Sequence, residues 1–233
     1  MIVSINQPAY LPWLGYFHRI AASDEHVILD QVQFEKNSFV NRNRVRTADG
    51  SCWLTVPVRT AGRFRDLPIA EVEIDERSDW ATKHWRTLQQ SYGKAPYFAK
   101  HAPFFAEVYA TPWRRLLDLN EAITRYLLDA LGVATPRRFA SSIPELGRKE
   151  ELPLSICRAL GATTYLSGTL GRQYLREELF REAGIALVYQ DYQHPVYDQR
   201  RPGFESGLAA VDLLFHHGPD SLRILVEQQP SVP

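Results

Sequence analysis

The chain predicts an α/β fold: a central, mostly parallel sheet with helices on both sides, plus a short β-hairpin region and a mostly helical segment around residues 78–132. Three observations predict it. The first thirty residues read as strand, helix, strand. Short apolar runs alternate with helical patterns again in the last third. Between them lies a long stretch of 3.6-residue periodicity with no strand pattern.

Residues 2–5 form a short apolar run suited to a buried strand. Residues 13–22 read as a helix, with Trp13, Phe17 and Ile20 on one face, and residues 26–29 as a second strand ending at Asp30. So short a crossover suits a parallel βαβ unit. Residues 32–34, 44–46, 53–58 and 70–74 suggest short strands. Ala48-Asp49-Gly50-Ser51 is a hairpin turn signal, and residues 61–66 are a polar, arginine-bearing loop.

Ser78 is placed to cap a helix over 80–92, whose Ala81, Trp85, Leu88 and Tyr92 share a stripe. Helices are expected at 102–109 and at 113–131, where Leu116, Leu119, Ile123 and Leu127 make the apolar face. Pro136 and the serines after it mark a break. Beyond it the pattern reads helix 150–160, strand 163–166, helix 172–182 and strand 185–190. Ser206 caps a helix at 207–215, and a short helix closes the series at 221–227. No internal repeat interrupts what reads as one domain over 1–233.

The 27 Lys and Arg balance 27 Asp and Glu, so bulk charge points to neither nucleic acid nor a membrane surface. Cys52 and Cys157 make no disulfide framework, and the histidines lack metal-binding spacing, so no metal is expected. No leader pattern or bilayer-length apolar run is present, and the expectation is a reduced, cytoplasmic protein.

Four polar stretches follow predicted strands, where ligands of open α/β sheets bind. The first, residues 7–17, holds Gln7, Tyr10 and Trp13; its rings could equally be a packed, proline-rich turn. The second, residues 30–44, gathers Asp30, Gln33, Lys36, Asn41, Arg42, Asn43 and Arg44. Arginines grip carboxylate or phosphate through two parallel bonds, and amides orient ligand polar groups; the bland alternative is a solvated hairpin. The third, residues 165–174, has Ser167 in a small-residue loop that resembles neither a Walker loop nor the dinucleotide glycine pattern. The fourth, residues 189–199, contains His194 flanked by Asp191 and Asp198, together with Tyr192, Tyr197 and Gln199. His194 is the general-base candidate by residue type, though a histidine before proline is often a turn residue. Cys157 sits in an apolar helical face and is expected to pack rather than react. The four stretches are expected to face one cleft.

Taken in order, QPAYLPWLGYF, LDQVQFEKNSFVNRNRV, WLTVPV, YLSG, YQHPVYDQ and LAAVDLLFHHG resemble the WbqC-like protein family over nearly the whole chain. That resemblance implies a role in bacterial O-antigen or related surface-polysaccharide biosynthesis. The implied activity is a transferase moving an acyl or aminoacyl group, such as glycyl, to an amino sugar or small metabolite. It implies no cofactor beyond an acyl or aminoacyl thioester donor on a carrier protein, which would also be the partner, and it carries no catalytic residues across. From the residues themselves, His194 would be the base, oriented by Asp191 or Asp198. Asn41, Arg42 and Arg44 would hold an anionic group, and Gln7, Tyr10 and Trp13 would line the acceptor pocket. Two other functions remain open: nucleotidyl transfer, for which Gly15-Tyr16 stands where a glycine-histidine step is sought and His18 follows two residues later, and sugar or carrier-protein binding without catalysis.

Overall fold

Five short strands build the centre of the molecule. They are β1 (Ile2–Asn6), β2 (Glu25–Ile28), β7 (Arg137–Phe139), β8 (Thr164–Ser167) and β9 (Ala186–Tyr189), in the order β7-β2-β1-β8-β9 and all parallel. The chain moves outward from β1 to β2 and β7, then crosses to the other side of β1 for β8 and β9. Numbered in chain order within the sheet, this is 3-2-1-4-5, the doubly wound arrangement with its topological switch between β1 and β8. The computed structural model describes residues 1–60, 62–63, 66–147, 149–227 and 229. Ala61, Phe64 and Arg65 of the arginine-bearing loop expected at 61–66 fall outside the described residues.

Pleat alternation decides what each face of the sheet meets. Val3, Ile5, Val27 and Tyr165 pack with Leu154, Ile156 and Cys157 of helix α5 (Leu152–Ala159) and Phe180 of helix α6 (Glu177–Glu182). Ser4 points the other way, where its hydroxyl meets His26 Nδ1 and Ser23 Oγ, each at 2.8 Å. That face is covered by helix α1 (Leu14–Ala21), whose Leu14, Phe17 and Ile20 join a second, larger core. The larger core continues into helices α2 (Trp80–Tyr92), α3 (Phe98–Ala110), α4 (Leu116–Leu131), α7 (Val211–His217) and α8 (Ser221–Glu227).

Two antiparallel pairs cover the flank: β3 (Arg42–Thr47) with β4 (Gly50–Thr55), and β5 (Val58–Arg59) with β6 (Glu73–Ile74). The expected turn joins β3 to β4, with Gly50 at φ +128°, a backbone conformation only glycine holds cheaply.

The differences from expectation have local causes. Helix α4 starts at Leu116 rather than 113 because residues 114–116 pair with the extended chain at 72–74: Ile74 N–H donates to Arg114 O and Leu116 N–H to Val72 O. Helix α7 starts at Val211 rather than 207 because Ala209 and Ala210 donate their N–H groups to Arg44 O and Pro12 O. The helix expected at 172–182 splits into a 3-10 turn, Thr169–Gln173, and α6. Asp79 rather than Ser78 occupies the cap position of α2, without a side-chain bond. Helix α3 begins four residues earlier than expected and carries Pro103 inside it. The expected strand at 32–34 reduces to a single bridge, Gln33 with Pro68, and the supposed break after Pro136 contains edge strand β7.

Tyr10 belongs to the core and not to a ligand pocket. It is fully buried, and its hydroxyl meets His84 Nδ1 at 2.8 Å and Tyr109 Oη at 2.7 Å. This network ties the β1–α1 loop to α2 and α3. Tyr10→Phe is expected to cost about 1–3 kcal/mol by leaving buried polar partners unpaired, read as a lower urea midpoint. Burial pulls the His84 imidazole down from 6.5 to about 4. The unfolded chain therefore takes up this proton at a higher pH than the folded chain. The neutral-histidine contribution, up to about 3 kcal/mol, is full above pH 6.5 and lost as pH falls towards 4. Urea titrations at stepped pH should show this decline, and His84→Gln should flatten it.

Candidate functional site

The C-terminal ends of β1, β8 and β9 open into a crevice of about 720 Å³, at the switch point of the sheet. Its floor is set by Arg19. Helix α1 carries this side chain back over the sheet, where Nη1 donates to Asn6 Oδ1 at the end of β1 and Nε donates to Gln190 Oε1 at 2.9 Å, one residue beyond β9. Between them, Gly168 follows β8. A Cβ on Gly168 would lie 2.6 Å from Arg19 Nη2, so a larger residue there would push the guanidinium from its place. The guanidinium thus spans the ends of three adjacent strands.

Among the described residues no carboxylate pairs with Arg19, and both of its hydrogen-bond partners are neutral amides. Burial lowers its pKa, yet a guanidinium stays charged at neutral pH. A fixed, half-buried cation without a counter-ion is the electrostatic signature of an anion site.

Gln190 holds the arrangement in place. Its Nε2 donates to Gly15 O at 3.0 Å and lies 2.7 Å from His18 Nδ1, while its Oε1 takes the Arg19 bond. His18 Nδ1 therefore accepts, which leaves the imidazole proton on Nε2; burial and Arg19 hold that ring neutral by lowering its pKa. Gly15 admits the Tyr192 ring above the first turn of α1: a Cβ there would sit 2.9 Å from Tyr192 Cδ1.

All four polar stretches of the sequence contribute to this crevice. Gln7 and Trp13 line it from the first, Glu35, Asn37, Ser38 and Phe39 from the second, Ser167 and its loop from the third, and Gln190 and Tyr192 from the fourth. Most of the residues singled out within those stretches are engaged elsewhere. Asp30 accepts from the Ser141 N–H and hydroxyl, tying β2 to the turn after β7. Asn41 donates to Val56 O at 2.9 Å, and Asn43 to Leu11 O at 2.6 Å. Tyr197 donates to Asp212 Oδ2 at 2.9 Å, and Gln199 exchanges two bonds with the Glu205 backbone. Gln33 sits on a separate cleft, and Lys36 is exposed.

Arg42 and Arg44 stack along Trp53 instead of entering the crevice, with guanidinium carbons 4.3 and 5.8 Å from its ring centroid. His194 does not line the crevice either. Its Nδ1 meets Pro195 O at 2.9 Å, and its Nε2 is buried without a partner. Neither Asp191 nor Asp198 bonds it among the described residues; both are exposed, and Asp198 caps the Arg200 N–H.

Arg19, Asn6, Gln190, Glu35 and Phe39 also line the crevice, and none of them stands out in the sequence by residue type or motif. One signal was present for Arg19: it stands four residues after Gly15, on the same helical face.

Both cysteines fit packing rather than reaction. Burial pushes the Cys157 thiol up to about 12 and raises that of Cys52. No group of three or more His, Cys, Asp or Glu among the described residues could hold a metal ion, and no helix among them is long and apolar enough to cross a membrane. The close packing beneath the crevice yields a direct expectation. A Cβ at Gly171 would clash with Ser167 Oγ and lie 2.8 Å from Leu175 Cδ1. Gly171→Ala should therefore destabilise the fold by about 1–3 kcal/mol in urea titration.

No solved structure matches the chain. It is similar to the uncharacterized protein Rv1507c of Mycobacterium tuberculosis, strain ATCC 25618 / H37Rv, at 40% identity over 229 residues, covering 95% of this chain and 97% of that protein. The WbqC-like protein family matches residues 7–224, which takes in the loop after β1, α1, the hairpin, the helical segment and the ends of β8 and β9 at the crevice. The chain belongs to the WbqC-like protein family.

Proposed function

We propose that this chain is a transferase acting on a phosphate-bearing small metabolite of surface-polysaccharide biosynthesis, with acyl or aminoacyl transfer to an amino sugar as the reaction. One observation carries the reading: Arg19 is held across the ends of β1, β8 and β9 by neutral amides and has no carboxylate partner among the described residues. A preorganised guanidinium binds phosphate with two parallel charge-assisted bonds, and no reorganisation is needed when the ligand arrives. The crevice volume is that of a small-molecule site.

The transfer needs a group to take the acceptor's proton. Glu35 is the only carboxylate lining the crevice among the described residues, and the proton is assigned to it. The acceptor amine attacks the donor thioester carbonyl and forms the new amide. The carbon–sulfur bond breaks, and the leaving thiolate receives the proton that Glu35 removed. Nucleotidyl transfer is the second reading, favoured by the 3-2-1-4-5 strand order, and pyrophosphate release from a nucleoside triphosphate plus a sugar phosphate would identify it.

The test incubates the protein with acyl-loaded carrier protein and phosphorylated amino sugars and follows intact mass. Arg19→Gln is expected to lower kcat/KM by about 100-fold, through loss of charged hydrogen bonds to the ligand. Undiminished turnover in that variant sinks the reading. Glu35→Gln should lower kcat by about 100-fold while leaving KM near its starting value.

A further inference from the structure

Phe39 is an exposed ring on a pinned backbone. Its carbonyl accepts the Tyr10 N–H at 3.0 Å, and the carbonyl of the next residue, buried Val40, accepts Asn120 Nδ2 at 2.8 Å. Nevertheless its side chain is 43% exposed, and it lines the same crevice as Arg19. The ring is 5.0 Å from that of Trp13, which also lines the crevice, and 6.0 Å from that of Trp53, itself 45% exposed. Phe39 and Trp13 thus offer ring surface to the same space as a cation that pairs with no carboxylate among the described residues, and an apolar patch rimmed by polar groups marks a binding surface. Gln7, Asn37 and Ser38 line the same space with polar groups, and the Gln7 amide has no hydrogen-bond partner among the described residues.

We infer that the phosphate held by Arg19 belongs to a nucleotide, whose base stacks on Phe39 beside Trp13. This rests on the anion-binding reading of the crevice and narrows its substrate class. The sheet supports it independently. In a doubly wound parallel sheet the switch point is where a nucleotide reaches from the strand ends along the crevice wall, and here one cavity offers a cation at the strand ends and a flat ring on its wall. A bare phosphate or pyrophosphate would leave the rings uncovered. A sugar phosphate would cover them with an aliphatic face and forgo base–aromatic stacking.

The test is isothermal titration of the full chain with ADP, UDP, pyrophosphate and ribose 5-phosphate. ADP and UDP are expected to bind at least about tenfold more tightly than pyrophosphate or ribose 5-phosphate, the lower range of a base–aromatic stack. Phe39→Ala should abolish that advantage and leave pyrophosphate binding intact. Phe39→Leu, which keeps apolar bulk without a flat face, should behave like the alanine variant; thermal melts of both check that they remain folded, since the Tyr10 and Asn120 bonds that pin the backbone there do not involve the ring. Arg19→Gln should abolish binding of all four. If pyrophosphate or ribose 5-phosphate binds as tightly as the nucleotides, or if Phe39→Ala leaves the advantage intact, the nucleotide assignment is overturned while Arg19-dependent phosphate binding stands. If no phosphate compound binds in an Arg19-dependent way, both the nucleotide assignment and the anion-binding reading fall.

Discussion

The hydrogen bonds from Arg19 to Asn6 and Gln190 are the constraint around which the rest of the crevice is arranged. They join the ends of strands that are not neighbours, β1 and β9, across the end of β8. A single planar group can do this because the guanidinium fork presents donors in fixed directions. Each neighbour then has a reason for its identity. A Cβ at Gly168 would displace the guanidinium, a Cβ at Gly15 would press on the Tyr192 ring over α1, and Gln190 offers both an acceptor and a donor. The charge sits at the one place in a doubly wound sheet where two neighbouring connections run in opposite directions and leave a gap.

The outer wall of the crevice depends on parts distant in sequence. Phe39 lies on the segment before β3, and its backbone is fixed by Tyr10 from the β1–α1 loop. Asn120 of α4 holds the adjacent residue, and Asn43 of β3 reaches back to Leu11 O. Tyr10 in turn meets His84 of α2 and Tyr109 of α3. The helical segment therefore serves the crevice without lining it: it holds rigid the loops that do. Buried polar contacts of this kind resist change because removing one partner leaves the other unpaired in a dry setting.

Much of the architecture was legible in the chain. The apolar run at the front, the turn at 48–51 and the helical periodicity of 80–92 all correspond to observed elements, because each is a local signal carried by a few successive residues. Boundaries failed where tertiary hydrogen bonds took backbone groups out of a helix, as Arg44 O and Pro12 O do at Ala209 and Ala210. Edge strand β7 escaped notice because three residues after a proline carry too little pattern to declare themselves.

Within the candidate site, the sequence by itself determined the neighbourhoods: four polar stretches behind strands, each of which sends residues to one crevice. It also determined the strand–helix–strand opening that puts α1 over β1. Which side chains within those stretches face the crevice was decided only by the tertiary structure. Asp30, Asn41, Asn43 and Tyr197 are as polar as Gln190, but folding brings them against buried donors and acceptors that they must satisfy. Arg19 looks like an ordinary helix charge until the sheet places two amides beside it and, among the described residues, no carboxylate in pairing distance. Whether a charge is neutralised depends on neighbours far away along the chain, and no local pattern records that.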